Sequence, residues 1–165
     1  MKHLLSLFMM FLCMVCVRAD VLWQDDFSSQ TPGKTVSAPW GLYGKRSMAP
    51  TAILHKGKTA VRLRDTDKSA EVGLTRNFQA GNAKFVRFTV DMEDLTGKET
   101  SDALLQIRTF PSDKFKQWSL QSGQFIVELP AGDTHGRIYL YSHAAPTPDV
   151  VIKSVKLEEI GRAHV

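Results

Sequence analysis

The sequence predicts an all-β fold: an antiparallel two-sheet β-sandwich, a jelly roll, of about ten strands. Three observations predict it. After residue 20, apolar side chains recur with a period of two, and no stretch keeps the 3.6-residue period of an amphipathic helix. Short β-branched and aromatic runs return roughly every ten residues, separated by turn segments such as KGK, DTDKS, AGNA, QSG and PAGDTHG. Each run also has one apolar and one polar face, as an antiparallel sheet with a solvated side requires.

The first strand is expected at 21–27. Segment 28–50, SSQTPGKTVSAPWGLYGKRSMAP, then breaks the rhythm with three prolines and three glycines. It reads as a long loop, and loops of this length inside a compact domain are usually functional or mobile. Strands follow at 51–55 and 59–64, where Val61 and Leu63 oppose Arg62 and Arg64. In 70–78, Val72 and Leu74 oppose Glu71, Gly73 and Thr75. In 85–93, Val86, Phe88, Val90 and Met92 oppose Phe85, Arg87, Thr89 and Asp91. Strands at 103–110, 115–121, 125–129, 137–143 and 150–158 complete the set. In 137–143, Ile138 and Leu140 face one way while Arg137, Tyr139, Tyr141 and His143 face the other. Trp118 and Trp23 are expected to be covered by the core.

Residues 1–19 read as a secretory signal. Lys2 and His3 precede an apolar run over 4–17, and Val17-Arg18-Ala19 ends in a small residue. The run is shorter than the ~20 residues a bilayer span needs, so no membrane insertion is expected after cleavage. A secreted, periplasmic or extracellular location follows. Both cysteines, Cys13 and Cys16, lie in this leader, which leaves residues 20–160 as one disulfide-free domain with no thiolate metal site. A chain of about 140 residues is long enough for one real core. At the other end, IGRAHV is the translation of ATC GGA AGA GCA CAC GTC, the start of a common sequencing adapter. Residues 161–165 are therefore expected to be an adapter-derived tail, with the natural gene running on past residue 160 and room for further domains downstream.

The chain has 21 Lys and Arg against 17 Asp and Glu. Setting aside Lys2, Arg18 and Arg162 leaves 18 against 17, a net charge near +1. Nucleic acid is not an expected partner at that charge.

The segments WQDDFSSQTPGKTVSAPW, KTAVRLRDTDKSAEVGLTRNF and KFVRFTVDMED resemble the opening of secreted bacterial β-sandwich domains of the carbohydrate-binding-module or concanavalin-like type. The closing WSLQSGQFIVELPAGDTHGRIYLYS and VVIKSVKLEEI look like the last strands of galactose-binding-like domains. The resemblance spans nearly all of residues 21–160. It implies a jelly roll that binds a polysaccharide or other glycan without a cofactor. Such domains often close on V-x-I-D-x-V, whose acidic residue helps hold a structural calcium. Here Lys153 stands in that place, and an ammonium offers no ligand oxygen. No metal is expected, and Asp25, Asp26 and Asp149 read as solvated strand-end charges.

A sugar site needs flat aromatic rings for stacking and planar polar groups for the hydroxyls. Trp40 and Tyr43 in the long segment supply rings. The polar strand faces supply Arg87, Gln106, Arg108, Tyr139 and Tyr141, with Asp91, Gln117 and His143 beside them. Arginine in such a face suits the carboxylate or sulfate of an acidic polysaccharide. The plainer reading is that Tyr and Arg stabilise an exposed sheet by cross-strand pairing alone. Catalysis has little support. VDMEDL places Asp91 and Glu93 two apart but lacks the third carboxylate of β-glucan-cleaving jelly rolls. Gln106-Ile107-Arg108 stands where alginate-lyase-like jelly rolls show Gln-Ile-His, and arginine is no base at ordinary pH. His55, His135 and His143 are scattered. The sequence thus points to a non-catalytic carbohydrate-binding-like module. A structural or interaction sandwich is the alternative, and a polysaccharide-degrading jelly-roll enzyme the third reading.

Overall fold

The structure, a computed structural model, describes residues 18–143 and 147–162. Eleven strands run in chain order: β1 (Arg18–Asp25), β2 (Gly41–Gly44), β3 (Thr51–His55), β4 (Lys58–Arg64), β5 (Val72–Gln79) and β6 (Phe85–Asp94). They continue as β7 (Ala103–Phe110), β8 (Lys114–Ser119), β9 (Gly123–Glu128), β10 (His135–Ser142) and β11 (Asp149–Arg162). The helical content of the described residues is one 3-10 turn at Arg46–Met48. No helix among them is long and apolar enough to cross a membrane.

The strands form two antiparallel sheets. The five-stranded sheet has the order β2-β5-β10-β7-β8, and the six-stranded sheet has the order β3-β4-β11-β6-β9 with β1 also on β11. The predicted two-sheet sandwich is the observed architecture. Its glue is the inward face of each strand: Leu63, Leu74, Phe88, Leu105, Ile107, Ile138, Leu140, Ile152 and Leu157 are fully buried between the sheets. Each such side chain contributes about 1.5–3 kcal/mol relative to an exposed one. Lys56 and Gly57, both at positive φ, make the two-residue hairpin that joins β3 to β4 and so set the His55–Lys58 register.

One expectation is corrected. Segment 28–50 is not one loop, because β2 lies within it and pairs with β5, adding an eleventh strand. Four residues with two glycines, GLYG, carry no alternation to read. The first and last strands reach two residues beyond 20–160 at either end. β1 begins at Arg18 and β11 ends at Arg162, and these two residues pair. Residues 18–19 and 161–162 thus belong to the sheet, because ladder hydrogen bonds depend on backbone alone, and the rest of the expected leader and tail lies outside the described residues. Trp23 and Trp118, expected to be covered by the core, are partly buried and pack against it.

One charge faces inward. Alternation along β5 turns Arg76 to the same side as Leu74, opposite Ile138 of β10. Its guanidinium lies 4.2 Å from the Trp23 ring centre and 5.5 Å from that of Trp40, with Nη1 3.3 Å from Asp25 Oδ2. Asp25 also accepts from Trp40 Nε1 at 2.8 Å and from the Phe27 amide at 2.7 Å. The cation thus lies against two indole rings at once.

Candidate functional site

The outward face of the five-stranded sheet is built on β10, its central strand. From His135 onward, every second residue points out: His135, Arg137, Tyr139 and Tyr141, with His143 following. Register then fixes each neighbour. Arg137 lies between Asn77 of β5 and Arg108 of β7, with Phe115 of β8 beyond. Tyr139 lies between Thr75 and Gln106, with Gln117 beyond. Tyr141 lies between Gly73 and Leu104, and Tyr43 of β2 sits on the far side of Gly73.

Gly73 lets the rings meet. With no side chain in that row position, Tyr43 and Tyr141 close over the gap at 5.5 Å between centroids, at an interplanar angle of 82°. Tyr43 and Tyr139 make the same 5.5 Å, edge-to-face contact, and Tyr139 and Tyr141 are 6.4 Å apart. The three rings form one cluster in the edge-to-face geometry that aromatic quadrupoles favour. Tyr141 is 6% exposed beneath its neighbours, whereas Tyr43 and Tyr139 are half-buried.

Polar partners hold the cluster. The Tyr43 hydroxyl donates to Glu71 Oε2, and Glu71 Oε1 meets His143 Nδ1 at 2.7 Å. Burial first, and then this bond to Glu71, push the Tyr43 hydroxyl well above the ordinary tyrosine range. Burial also raises Tyr141, with the Glu71 charge adding to it. The Tyr141 hydroxyl donates to Gln117 Oε1 at 2.9 Å, and Gln106 Nε2 donates to the same oxygen at 3.3 Å. Beyond the tyrosines the face turns cationic. Arg137 Nε donates to Asn77 Oδ1 at 2.7 Å, and its guanidinium lies 6.0 Å from the Tyr139 ring centre. Arg108 pairs with Asp113 (Nη2 to Oδ2, 3.2 Å) and lies 5.7 Å from the ring of Phe115, which is 54% exposed. A recess of about 380 Å³ lies at this end, between Asn77, Arg137, Phe110 and His135.

Five of the seven residues singled out from sequence thus share one face: Tyr43, Gln106, Arg108, Tyr139 and Tyr141. The other two do not. Trp40 is 4% exposed, packs against Trp23 and Phe27, and spends its indole N–H on Asp25, so it is a core residue rather than a stacking platform. Arg87 points outward from β6, in the opposite sheet, where it pairs with Glu158 at 2.9 Å. Asp91 lies on that sheet too. Alternation gives the face of a strand but not its sheet.

Arg137, Glu71 and Gly73 were missed as site residues. Arg137 was legible, since it alternates with Tyr139 and Tyr141. Glu71 and Gly73 act through their register with β2 and β10, which no local pattern carries. Asp25 and Asp149 do not meet: Asp149 is held by Arg62 at 2.6 Å, while Asp25 serves Trp40 and Arg76. Among the described residues, no three His, Asp, Glu or Cys side chains are grouped to hold a metal ion.

No family model and no curated protein matches the chain by sequence. Solved structures do match in fold. The CBM22-1 xylan-binding domain of Paenibacillus barcinonensis Xyn10C gives a TM-score of 0.56 at 8% identity, covering 88% of this chain and 97% of that one. The K2 cleaved adhesin domain of Lys-gingipain gives 0.54 at 12% identity, covering 82% and 96%. The enzymatically active domain of bacteriophage CBA120 tailspike protein 4 gives 0.55 at 12% identity, covering 75% of this chain. This chain spans only 20% of that tailspike domain. At such identities the likeness is one of fold. The chain has the jelly-roll β-sandwich of carbohydrate-binding modules.

Proposed function

We propose that the protein is a non-catalytic carbohydrate-binding module of an extracytoplasmic protein, and that it binds with the outward face of the five-stranded sheet. The observation that carries this is the juxtaposition, by register, of Tyr43, Tyr139 and Tyr141 with Gln106, Gln117 and Arg137. The half-buried rings offer C–H stacking surface, and the planar amides offer paired donors and acceptors for hydroxyls. Arg137 has no carboxylate partner among the described residues, and Arg108 lies beside it. The Arg137 guanidinium next to the rings favours a glycan that carries carboxylates, an acidic polysaccharide. Binding by these groups calls on no metal or cofactor.

The test is affinity electrophoresis of the full chain in gels containing polygalacturonate, alginate or xylan. Retardation by an acidic gel is expected. Tyr139→Ala should weaken it roughly tenfold, about 1.4 kcal/mol. Arg137→Met should weaken retardation in the acidic gels more than in xylan. Retardation in no glycan gel ends this reading. An interaction domain of a surface assembly would then stand. The burial of Tyr141 favours that second reading, because it takes that ring out of reach of a ligand.

A further inference from the structure

The outward face of the other, six-stranded sheet carries a separate cleft of about 640 Å³. Its origin is topological. β4 follows one edge of β11 as far as Ile152, opposite Val61, and β1 takes up the same edge at Val155, opposite Asp25. Lys153 and Ser154 between them have no ladder partner on that edge, and the register with β6 slips here. The gap left between β4 and β1 is the cleft. Its volume falls in the ~300–1,000 Å³ range of small-molecule sites.

Its lining has an unusual balance. Lys56, Lys58 and Lys153 face it together with Asp26 and Asp91. The charges cancel locally: Lys153 Nζ lies 2.8 Å from Asp91 Oδ1, and Lys56 Nζ lies 2.7 Å from Glu93 Oε2, which His55 Nε2 also meets at 3.1 Å. Lys58 stands in the field of Asp26. A polyanion gains little from a lining with no net field. Among the described residues no Trp, Tyr or Phe ring lines the cleft, so stacking is not its mode. What it offers is strong acceptors beside strong donors, with the hydroxyls of Ser28, Thr59 and Ser154 among them. A sugar hydroxyl donates one hydrogen bond while accepting others, so a diol bridges a carboxylate and a neighbouring ammonium at once. A second recess of about 500 Å³ shares Asp26 and Ser154 and is also lined by Thr89. The Thr89 hydroxyl is buried with no hydrogen-bond partner among the described residues. The geometry points to this cleft as a second binding site, for a neutral, polyhydroxylated ligand of monosaccharide size.

Heteronuclear NMR titration of the full chain with galactose, glucose, mannose, xylose and galacturonate, one at a time, tests it. At least one neutral sugar should shift the amides of Asp26, Thr59, Lys153 and Ser154. Asp26→Asn should weaken that response about tenfold, with the amides of Tyr43, Tyr139 and Tyr141 unmoved. Thr59→Val supplies the same readout if Asp26→Asn perturbs the spectrum as a whole. The two faces report on separate amides, so this site and the tyrosine face stand or fall independently. A cleft silent to every neutral sugar, or answering galacturonate alone, overturns the inference.

Discussion

Replacing Gly73 with alanine measures how closely the tyrosine face is assembled. A Cβ at this position would stand 2.4 Å from the Leu140 carbonyl oxygen, 2.5 Å from Tyr141 Cβ and 2.7 Å from Tyr141 Cα. Ordinary contacts between carbons lie at about 3.5–4.0 Å, so the overlap is on the order of an ångström. All three atoms belong to the backbone or are anchored directly to it, and no rotamer change moves them. β5 and β10 would have to part locally, stretching the ladder between them. Overpacking of this kind costs about 1–3 kcal/mol, and the gain from removing a strand glycine, ~0.5–1 kcal/mol, offsets part of it. A net loss of roughly 2 kcal/mol is expected at the severe end of that range. Gly41, on the same face, is the control. Its added Cβ meets the Thr75 hydroxyl at 2.9 Å, which rotates aside, and the Thr75 carbonyl oxygen at an ordinary 3.8 Å, so Gly41→Ala should stay within about 0.5 kcal/mol of wild type. In urea, with a slope of ~2 kcal/mol/M, the Gly73 variant should unfold about 1 M earlier and the Gly41 variant almost unchanged. Retardation in glycan gels should fall with Gly73→Ala, because Tyr141 is pushed off its row. Equal midpoints for the two variants would show that the close approach at Gly73 does not set the position of the ring cluster.

Arg76→Met should cost roughly 3 kcal/mol, because it strips a largely buried cation from Asp25 and from two indole faces. The value sits at the low end for a buried pair because Asp25 keeps Trp40 Nε1 and the Phe27 amide; an unfolding midpoint equal to wild type would mean that the pair acts as a surface one. Tyr43 should ionise well above the ordinary tyrosine pKa of about 10, read by phenolate absorbance. Glu71→Gln should lower its pKa only part way, since burial is the larger cause. A pKa raised by folding stabilises fully below pH ~10 and is lost as the pH climbs through the folded value, so stability should fall on the alkaline side. Titration of Tyr43 at the ordinary value would contradict its burial against Glu71.

The alternation of residues told which side chains would be inside. Val86, Phe88, Val90 and Met92 are buried as their spacing required, and so are Val61, Leu63, Ile138 and Leu140. A period of two is a property of each strand alone, set by the pleat, and it survives whatever the strand pairs with. It therefore also gave Tyr139 and Tyr141 their outward direction, although it said nothing of how nearly Tyr43 would cover Tyr141. What it could not carry was partnership. Arg87 and Arg108 look alike in sequence, each alternating with core residues, yet β6 lies in one sheet and β7 in the other. Trp40 sits in a stretch with no period, and only the arrival of Asp25 and Phe27 beside it makes it core. The gap at Lys153 and Ser154 exists because two strands distant in the chain share one edge of β11, and the ring cluster exists because β2 docks beside Gly73. Such pairings join residues dozens of positions apart, and their energy appears only when the sheet closes.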